Sequence, residues 1–551
     1  MTRFAKLIPI LVLAWGSPGC FRTEPRIDEA VRSQTLLIGN GTEPQSIDPH
    51  IATGVPENRI IAALFEGLAG VHPKTLEPIA DGAAERWDIS PDGLTYTFHL
   101  RRNGSWTNGD PVTAHDFVYS FYRILHPNSA AQNAYMLYPL LNAEAFNTKK
   151  IINFGEVGAK ALDDYTLELQ LKGPTPYFLG VLNHYSWYPV HRDTVRKHGG
   201  DFKYDSLWTR PGNIVNNGPF HLVEWKLNDH LIIEKRDDYW DADQIKLQRV
   251  YYHPIDNGES EQRAFRRGFI HLTSDIPVHR IDWTRRHMPG TLRLDPYLGT
   301  YYYRINLSDP EPDASSRSTK ARRALQDPRI RRALNLALDR DAICKFLNGG
   351  QLPAYSFVPP NAAGYQPSYT LSPSPETAQE LLAEAGFPGG EGFPKVQIVY
   401  NTLESHKQVA EIVQEQWRKN LGIEIELLNQ DWKVYLQTVQ QLDYALARAG
   451  WIGDYADPNT FLDLWLSGSG NNQTGFANPI YDELIHQAAS ASDHDERMEH
   501  FQKAERILLE DLPIIPIYFY VSKRTVHPHV IGWEENLLDR HPIKYVSLRM
   551  P

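Results

Sequence analysis

The sequence predicts an α/β protein of more than one domain, and three observations carry that expectation. Val396, Ile398 and Tyr400 alternate as in a strand, Val409, Ile412, Val413 and Trp417 recur at helical spacing up to Gly422, and Ile423, Ile425 and Leu427 alternate again. Strand, helix and strand in that order form a βαβ unit, which predicts a mostly parallel sheet with ligands beyond its strand ends. A chain of 551 residues is longer than one core organises, so about two to four domains are expected. With 42% hydrophobic and 22% charged residues, the composition excludes both wholesale disorder and a membrane-embedded chain.

Residues 1–20 read as an export signal, with basic Arg3 and Lys6, an apolar stretch from Leu7 to Trp15 and small residues at Ser17-Pro18-Gly19. The apolar stretch is too short to span a bilayer, and nothing after residue 20 reaches that length. Gly19-Cys20 resembles the end of a bacterial lipobox, although Ser17 stands where that pattern has a Leu-like residue. Two outcomes stay open: lipidation of Cys20, giving a membrane tether, or cleavage without acylation, giving a soluble protein. Cys344 is the other thiol, so core packing and not a disulfide framework must hold the fold. In Ala342-Ile343-Cys344-Lys345-Phe346 it reads as a small buried apolar residue rather than a nucleophile.

Thr35 to Ile38 reads as a strand, followed by a turn at Gly39-Asn40-Gly41-Thr42 that lacks the Gly-Lys-Ser/Thr ending of a phosphate loop. Ile60, Ile61, Leu64, Phe65 and Leu68 follow a helical period over 58–68, closed by Gly67 and Gly70. Thr95 to Leu100 alternates as a half-buried strand, turns follow at Asn103-Gly104 and Asn108-Gly109, and Thr113 can cap a helix from Ala114. Asp327-Pro328 sets a cap and a first-turn proline before a helix with Ile330, Leu334, Ala337 and Leu338 on one face. Ser308 to Ser318 reads as an exposed loop and Pro353 to Pro375 as an irregular crossing. Net charge is −11 with no basic run able to track phosphates, so no nucleic-acid partner is expected.

Two stretches carry a resemblance. From Gly82 to Arg123, Trp87, Asp92-Gly93, Tyr96, Phe98, Leu100-Arg101, Trp106, Gly109, Pro111 to Ala114, Asp116 and Phe117 stand in matching places, and Ala447-Arg448-Ala449-Gly450-Trp451-Ile452-Gly453-Asp454 matches a second signature. The chain resembles the family 5 extracellular solute-binding proteins of bacterial ABC importers, in their oligopeptide-binding branch. That resemblance implies a two-lobed periplasmic binding protein fold of type II with an additional inserted domain, the lobes hinge-linked around a ligand cleft. It implies an N-terminal lobe from 22–65, 190–298 and 522–551, an inserted domain from 66–189 and a second lobe from 299–521. It further implies a periplasmic or envelope-anchored monomer that binds short peptides and meets the membrane subunits of an importer, with no cofactor, no metal and no reaction.

A free peptide brings an ammonium and a carboxylate, and a closed cleft must match both charges. By the resemblance, Asp454 receives the amino terminus, Arg448 the carboxylate of short peptides and His406 that of longer ones. Gly450 and Trp451 would hold the peptide main chain as an added strand, and Tyr455, Val55 and Asn133 complete the ligand-binding set. By sequence alone Asp454 can also be read as a turn residue, and Asp457 is better read so. The family's glutamate is replaced by Thr53, its tyrosine falls at or near Asn133, its lysine aligns with Leu347, and its two disulfide cysteines correspond to Gly299 and Ile452. Murein peptides or another charged solute therefore stay open as ligands, as does a chaperone-like or sensory role. A carboxylate-dependent hydrolase using Asp454 and Asp457 lacks any accompanying Gly-x-Ser-x-Gly, His-Glu-x-x-His or Cys/His metal spacing. The 13 Trp, 28 Tyr and 21 Phe are read as core and cleft walls rather than a glycan platform.

Overall fold

A computed structural model describes residues 26–203, 206–309, 317–491 and 493–550. The expected export signal and Cys20 lie outside the described residues, as do residues 310–316 of the expected loop, while 317 already begins a helix.

The chain opens with β1 (Thr35–Gly39), buried along its length. It continues to α1 (Val55–Leu64), where Pro56 sits in the first turn and Ile60, Ile61, Ala63 and Leu64 face inward. This helix starts and ends a few residues earlier than its apolar period suggests, because Phe65 is extended (φ −120°, ψ 159°). An antiparallel four-stranded sheet follows, made of β2 (Ala84–Ile89) and β3 (Thr95–Leu100), then α2 (Ala114–Leu125), then β4 (Ala159–Asp163) and β5 (Thr166–Gln170), in the order β2-β3-β5-β4. The α2 start is capped as its sequence predicts: the Thr113 backbone N–H donates to the Asp116 carboxylate at 2.8 Å. The chain then returns to the first sheet through β6 (Phe220–Lys226), β7 (His230–Lys235) and β8 (Arg249–His253), giving the order β1-β8-β7-β6. These first two sheets share one core, in which Leu36, Ile60, Phe220, Phe98, Phe117 and Trp187 are buried together.

The remaining sheet holds β9 (Leu292–Ile305), then, after α3 (Pro328–Leu336), β10 (Leu352–Pro353) and β11 (Val396–Asn401). After α4 (Glu404–Leu421) come β12 (Ile425–Gln430) and β13 (Leu446–Ile452), and after α5 (His494–Asp511) comes β14 (Ile514–Thr525). Val409, Val413 and Trp417 of α4 are buried, and Gly422 ends the helix at φ +70°. The βαβ unit β11-α4-β12 is parallel as expected, and β11 is also parallel to β13. The expectation of a mostly parallel sheet fails, however: in the order β10-β14-β9-β13-β11-β12, the other pairs are antiparallel. Local periodicity reports one crossover, and it carries no record of the direction of strands arriving from far along the chain.

β9 and β14 are long and run beyond this sheet. Leu292 to Pro296 pairs with Val521 to Thr525, and the register shifts between Pro296 and Thr300. Single bridges from Leu272 to Ile38 and to Val526 then tie the end of β14 to β1. This lobe buries its own cores, one around Trp417, Ile398 and Ile517 and another around Phe357, Trp465 and Phe501. Cys344 is buried at 9% exposure in the first of these, and its thiol is pushed up to about 12, mainly by burial, which leaves it unreactive.

Candidate functional site

The acidic end of the cleft forms where β13 stops. Its last turn is pinned on three sides: the Gly453 N–H donates to the Leu298 carbonyl (2.7 Å), the Asp454 N–H to Thr460 Oγ1 (3.2 Å), and Arg540 Nη2 to the Asp454 carbonyl (2.9 Å). A Cβ at Gly453 would come within 2.7 Å of Leu298 Cδ2, so the buried Leu298 side chain would have to shift to admit one. The Asp454 carboxyl is half-buried and accepts one hydrogen bond, from the Tyr135 hydroxyl at 3.3 Å. Burial pushes it up to about 6, against the pull of Arg540 and Tyr135.

Two further carboxyls lie nearby with different fates. Asp457 is buried and accepts from both Arg497 nitrogens at 2.7 and 2.6 Å, so its charge is already matched. Asp463 accepts from Asn459 Nδ2 at 3.0 Å but pairs with no cation among the described residues, and burial together with the charges of Asp454 and Asp457 pushes it up to about 8. Asp454 and Asp463 thus form an electronegative socket whose ionised state is disfavoured until a cation enters. A compact ammonium with three donors fits that requirement.

The basic end lies on the same strand. Arg448 stacks over the Tyr301 ring at 4.8 Å, donates to the Tyr520 hydroxyl at 2.7 Å and reaches Asn401 Oδ1 at 3.5 Å. No carboxylate among the described residues pairs with it, and its Nε has no acceptor. Gly450 makes this arrangement possible, since a Cβ there would lie 2.5 Å from the Tyr520 hydroxyl oxygen. His406 is buried beside Arg448, with Nδ1 3.2 Å from the Asn401 carbonyl. Because a carbonyl only accepts, Nδ1 carries the proton and neutral Nε2 is an acceptor. Burial, and then the Arg448 charge, hold His406 down to about 3. In the ligand-free fold it is therefore a neutral wall of the basic pocket.

Between the two ends runs an open strand edge. β11 pairs with β13 only at Leu446 and Ala447, so β13 is unpaired on that side from Arg448 onward. The Arg448 carbonyl accepts from the Tyr435 hydroxyl, whereas the Gly453 N–H faces Leu298 of β9. Strand alternation then turns the backbone groups of Gly450 and Ile452 toward the free edge and those of Trp451 toward β9. The expectation that both Gly450 and Trp451 present main chain is corrected: Trp451 pairs with Thr300, and what it offers is an indole whose buried N–H has no acceptor. The strand runs as far as Ile452.

The other expected site residues fall around this edge. Tyr455 is buried, stacked on Tyr177 at 4.7 Å and 8°, and its hydroxyl accepts from Asn459 at 3.0 Å, so it clamps the loop against the first core. Asn133 Nδ2 donates to the Ala52 carbonyl (3.1 Å) and the Tyr185 hydroxyl (3.2 Å), bracing the loop that carries Thr53. Val55 is 49% exposed at the first turn of α1. Gly299 and Ile452 are direct cross-strand partners, and Leu347 is buried in apolar surroundings that leave no cation there. Sequence reasoning missed Tyr135, Asp463, Arg540 and Tyr520. Tyr135 lay two residues from a position already singled out, while Asp463 and Arg540 carried no local signal.

Comparison with known proteins establishes the family and the fold. The profile described as bacterial extracellular solute-binding proteins, family 5 middle, matches residues 78–473. The periplasmic oligopeptide-binding protein OppA of Salmonella typhimurium is 40% identical over 517 residues, covering 91% of this chain and 90% of its own. Among solved structures, the murein tripeptide binding protein MppA of Escherichia coli superposes with a TM-score of 0.82 at 33% identity, over 93% of this chain and 98% of its own. Haemophilus influenzae OppA in complex with the peptide RPPGFSPFR gives a TM-score of 0.79 at 34% identity, over 94% of this chain and 99% of its own.

Proposed function

The chain belongs to family 5 of the bacterial extracellular solute-binding proteins, and from that premise we propose that it captures short peptides in the periplasm and delivers them to the membrane subunits of an ABC importer. One observation carries this reading: a free strand edge lies between a socket of two unmatched carboxyls and an arginine without a carboxylate. An extended peptide supplies what is missing at every point, with its ammonium at Asp454 and Asp463, its main chain on Gly450 and Ile452, and its carboxylate at Arg448. Side chains stay largely unread by such contacts, so tolerance of sequence follows. The role requires binding and release only, with no bond broken.

Closure of the lobes would turn about β9 and β14 near the register shift at Pro296 to Thr300, with the ligand favouring the closed state through its contacts there. The proposal includes the division of the chain into 22–65 with 190–298 and 522–551, 66–189, and 299–521, a monomeric state, and an optional lipid tether at Cys20. A murein peptide is a second reading, supported by the likeness to the murein tripeptide binding protein. Native mass spectrometry of gently purified mature protein, with release and sequencing of the bound mass, tests both. A ladder of mixed short peptides supports generic capture and a single murein fragment the second reading. A non-peptide ligand would overturn both.

A further inference from the structure

Beside the acidic end, a cavity of about 140 Å³ extends between α1 and the segment 533–545. Three acids line it, and each is already engaged. Asp81 pairs with Lys544 at 2.7 Å and accepts from the Tyr545 hydroxyl. Glu66 accepts from Tyr239 and Trp240, and Asp539 pairs with Arg524 and His541. The arginines of the same wall are different. Arg59 of α1 lines the cavity and makes no side-chain hydrogen bond or ion pair among the described residues, lying only in the wider fields of Asp539, Glu261 and the like charge of Arg524, while Arg540 Nη1 is buried without an acceptor. The Tyr297 hydroxyl, also on the wall, lies in the fields of Arg59, Arg524 and Arg540.

A guanidinium facing a cavity without an acceptor is costly to bury and is matched most completely by a planar anion. Arg540 also holds the Asp454 carbonyl at 2.9 Å, so this cavity begins where the amino-terminal end of the ligand would lie. Resting on the peptide-capture reading, the geometry points to a side-chain subsite in which Arg59 and Arg540 bind the carboxylate of an acidic residue at the first or second position of the peptide. Arg59 and Arg540 are then specificity-determining residues, and the protein prefers ligands acidic near their amino terminus over otherwise identical neutral ones.

The test uses the full mature protein and peptide pairs of three to five residues that differ only in Glu against Gln, at position one or at position two, with affinities from isothermal titration calorimetry. The wild type should bind the Glu member at least about tenfold tighter at one of the two positions, as expected for a charge-assisted bidentate contact. Arg59→Met should erase that preference while leaving the Gln peptide within about twofold, and Arg59→Lys should keep part of it. An unchanged melting temperature of Arg59→Met verifies its fold. Tight, N-acetylation-sensitive binding without Glu/Gln discrimination, or discrimination that survives Arg59→Met, would overturn the subsite and leave peptide capture standing. Failure to bind any peptide of the panel would overturn both.

Discussion

The two ends of the cleft are built in opposite ways. Arg448 is held by Asn401, Tyr301 and Tyr520, which all stand on strands of one sheet, so the basic end is complete within a single lobe. Asp454 is held by Tyr135 and Arg540, and its loop is clamped by Tyr177 against Tyr455, so groups from three separate chain segments meet there. The difference assigns different tasks to the two ends. The contacts that hold Arg448 come from one sheet and do not depend on where the other segments lie, whereas the Tyr135 and Arg540 contacts to Asp454 exist only while those segments are together.

The sharpest way to break this comparison is to remove the acidic anchor. Asp454→Ala, or N-acetylation of the peptide, should cost about 3 kcal/mol or more, roughly a hundredfold in Kd by calorimetry, because an ammonium would be left buried without its partner. Equal affinity for acetylated and free peptides would remove Asp454 from its role. Small-angle scattering sharpens the point, since saturating peptide should still compact Arg448→Ala but fail to compact Asp454→Ala.

A somewhat smaller loss is expected at the basic end. Arg448→Ala should weaken short peptides by about 1.5 to 3 kcal/mol and longer ones less, as the proposed placement of the short-peptide carboxylate requires. A uniform loss across lengths would contradict the assignment.

Proton linkage gives a third handle. Asp454, at about 6, and Asp463, at about 8, both sit above the ordinary carboxylate value of 3.8 in the ligand-free fold. Their stabilising effect is therefore complete below the unfolded value and is lost as pH rises through about 6 and then about 8. An ammonium reverses the balance by favouring both carboxylates, so peptide binding near pH 6 to 8 should release protons, seen as a buffer-dependent heat. Asp463→Asn should raise the ligand-free melting temperature at pH 8.5 and reduce proton release. A variant indistinguishable from wild type in both would exclude Asp463 from the socket.

The smallest effect separates closure from charge. Tyr135→Phe removes one hydrogen bond to Asp454 across the interface and should cost about 1 kcal/mol in peptide affinity, leaving the Arg448 end unaffected. A loss as large as that of Asp454→Ala would mean that Tyr135 touches the ligand itself.

Much of the fold was legible wherever a signal was local. The α3 start at Asp327-Pro328, the Thr113/Asp116 cap and the β11-α4-β12 unit stand where capping chemistry and apolar period put them. Legibility faded where a residue's meaning depended on distant partners. His406 was singled out beside the carboxylate site, and it is burial, and then the Arg448 charge, that hold it neutral in the ligand-free fold, against the pull of its hydrogen bond to the Asn401 carbonyl. Asn133 drew attention for its place, and Tyr135, two residues on, is the one that reaches Asp454.

By itself the sequence determined the local element types and the family resemblance, because caps, periods and signature residues act over a few neighbours along the chain. The tertiary structure alone decided that the large sheet is mostly antiparallel, that β13 keeps a free edge beyond Ala447, and that Asp463, Arg540 and Arg59 lie beside the acidic end. Those outcomes depend on which distant segments are packed together, and it is burial beside particular charges that sets what a buried carboxyl or guanidinium can do.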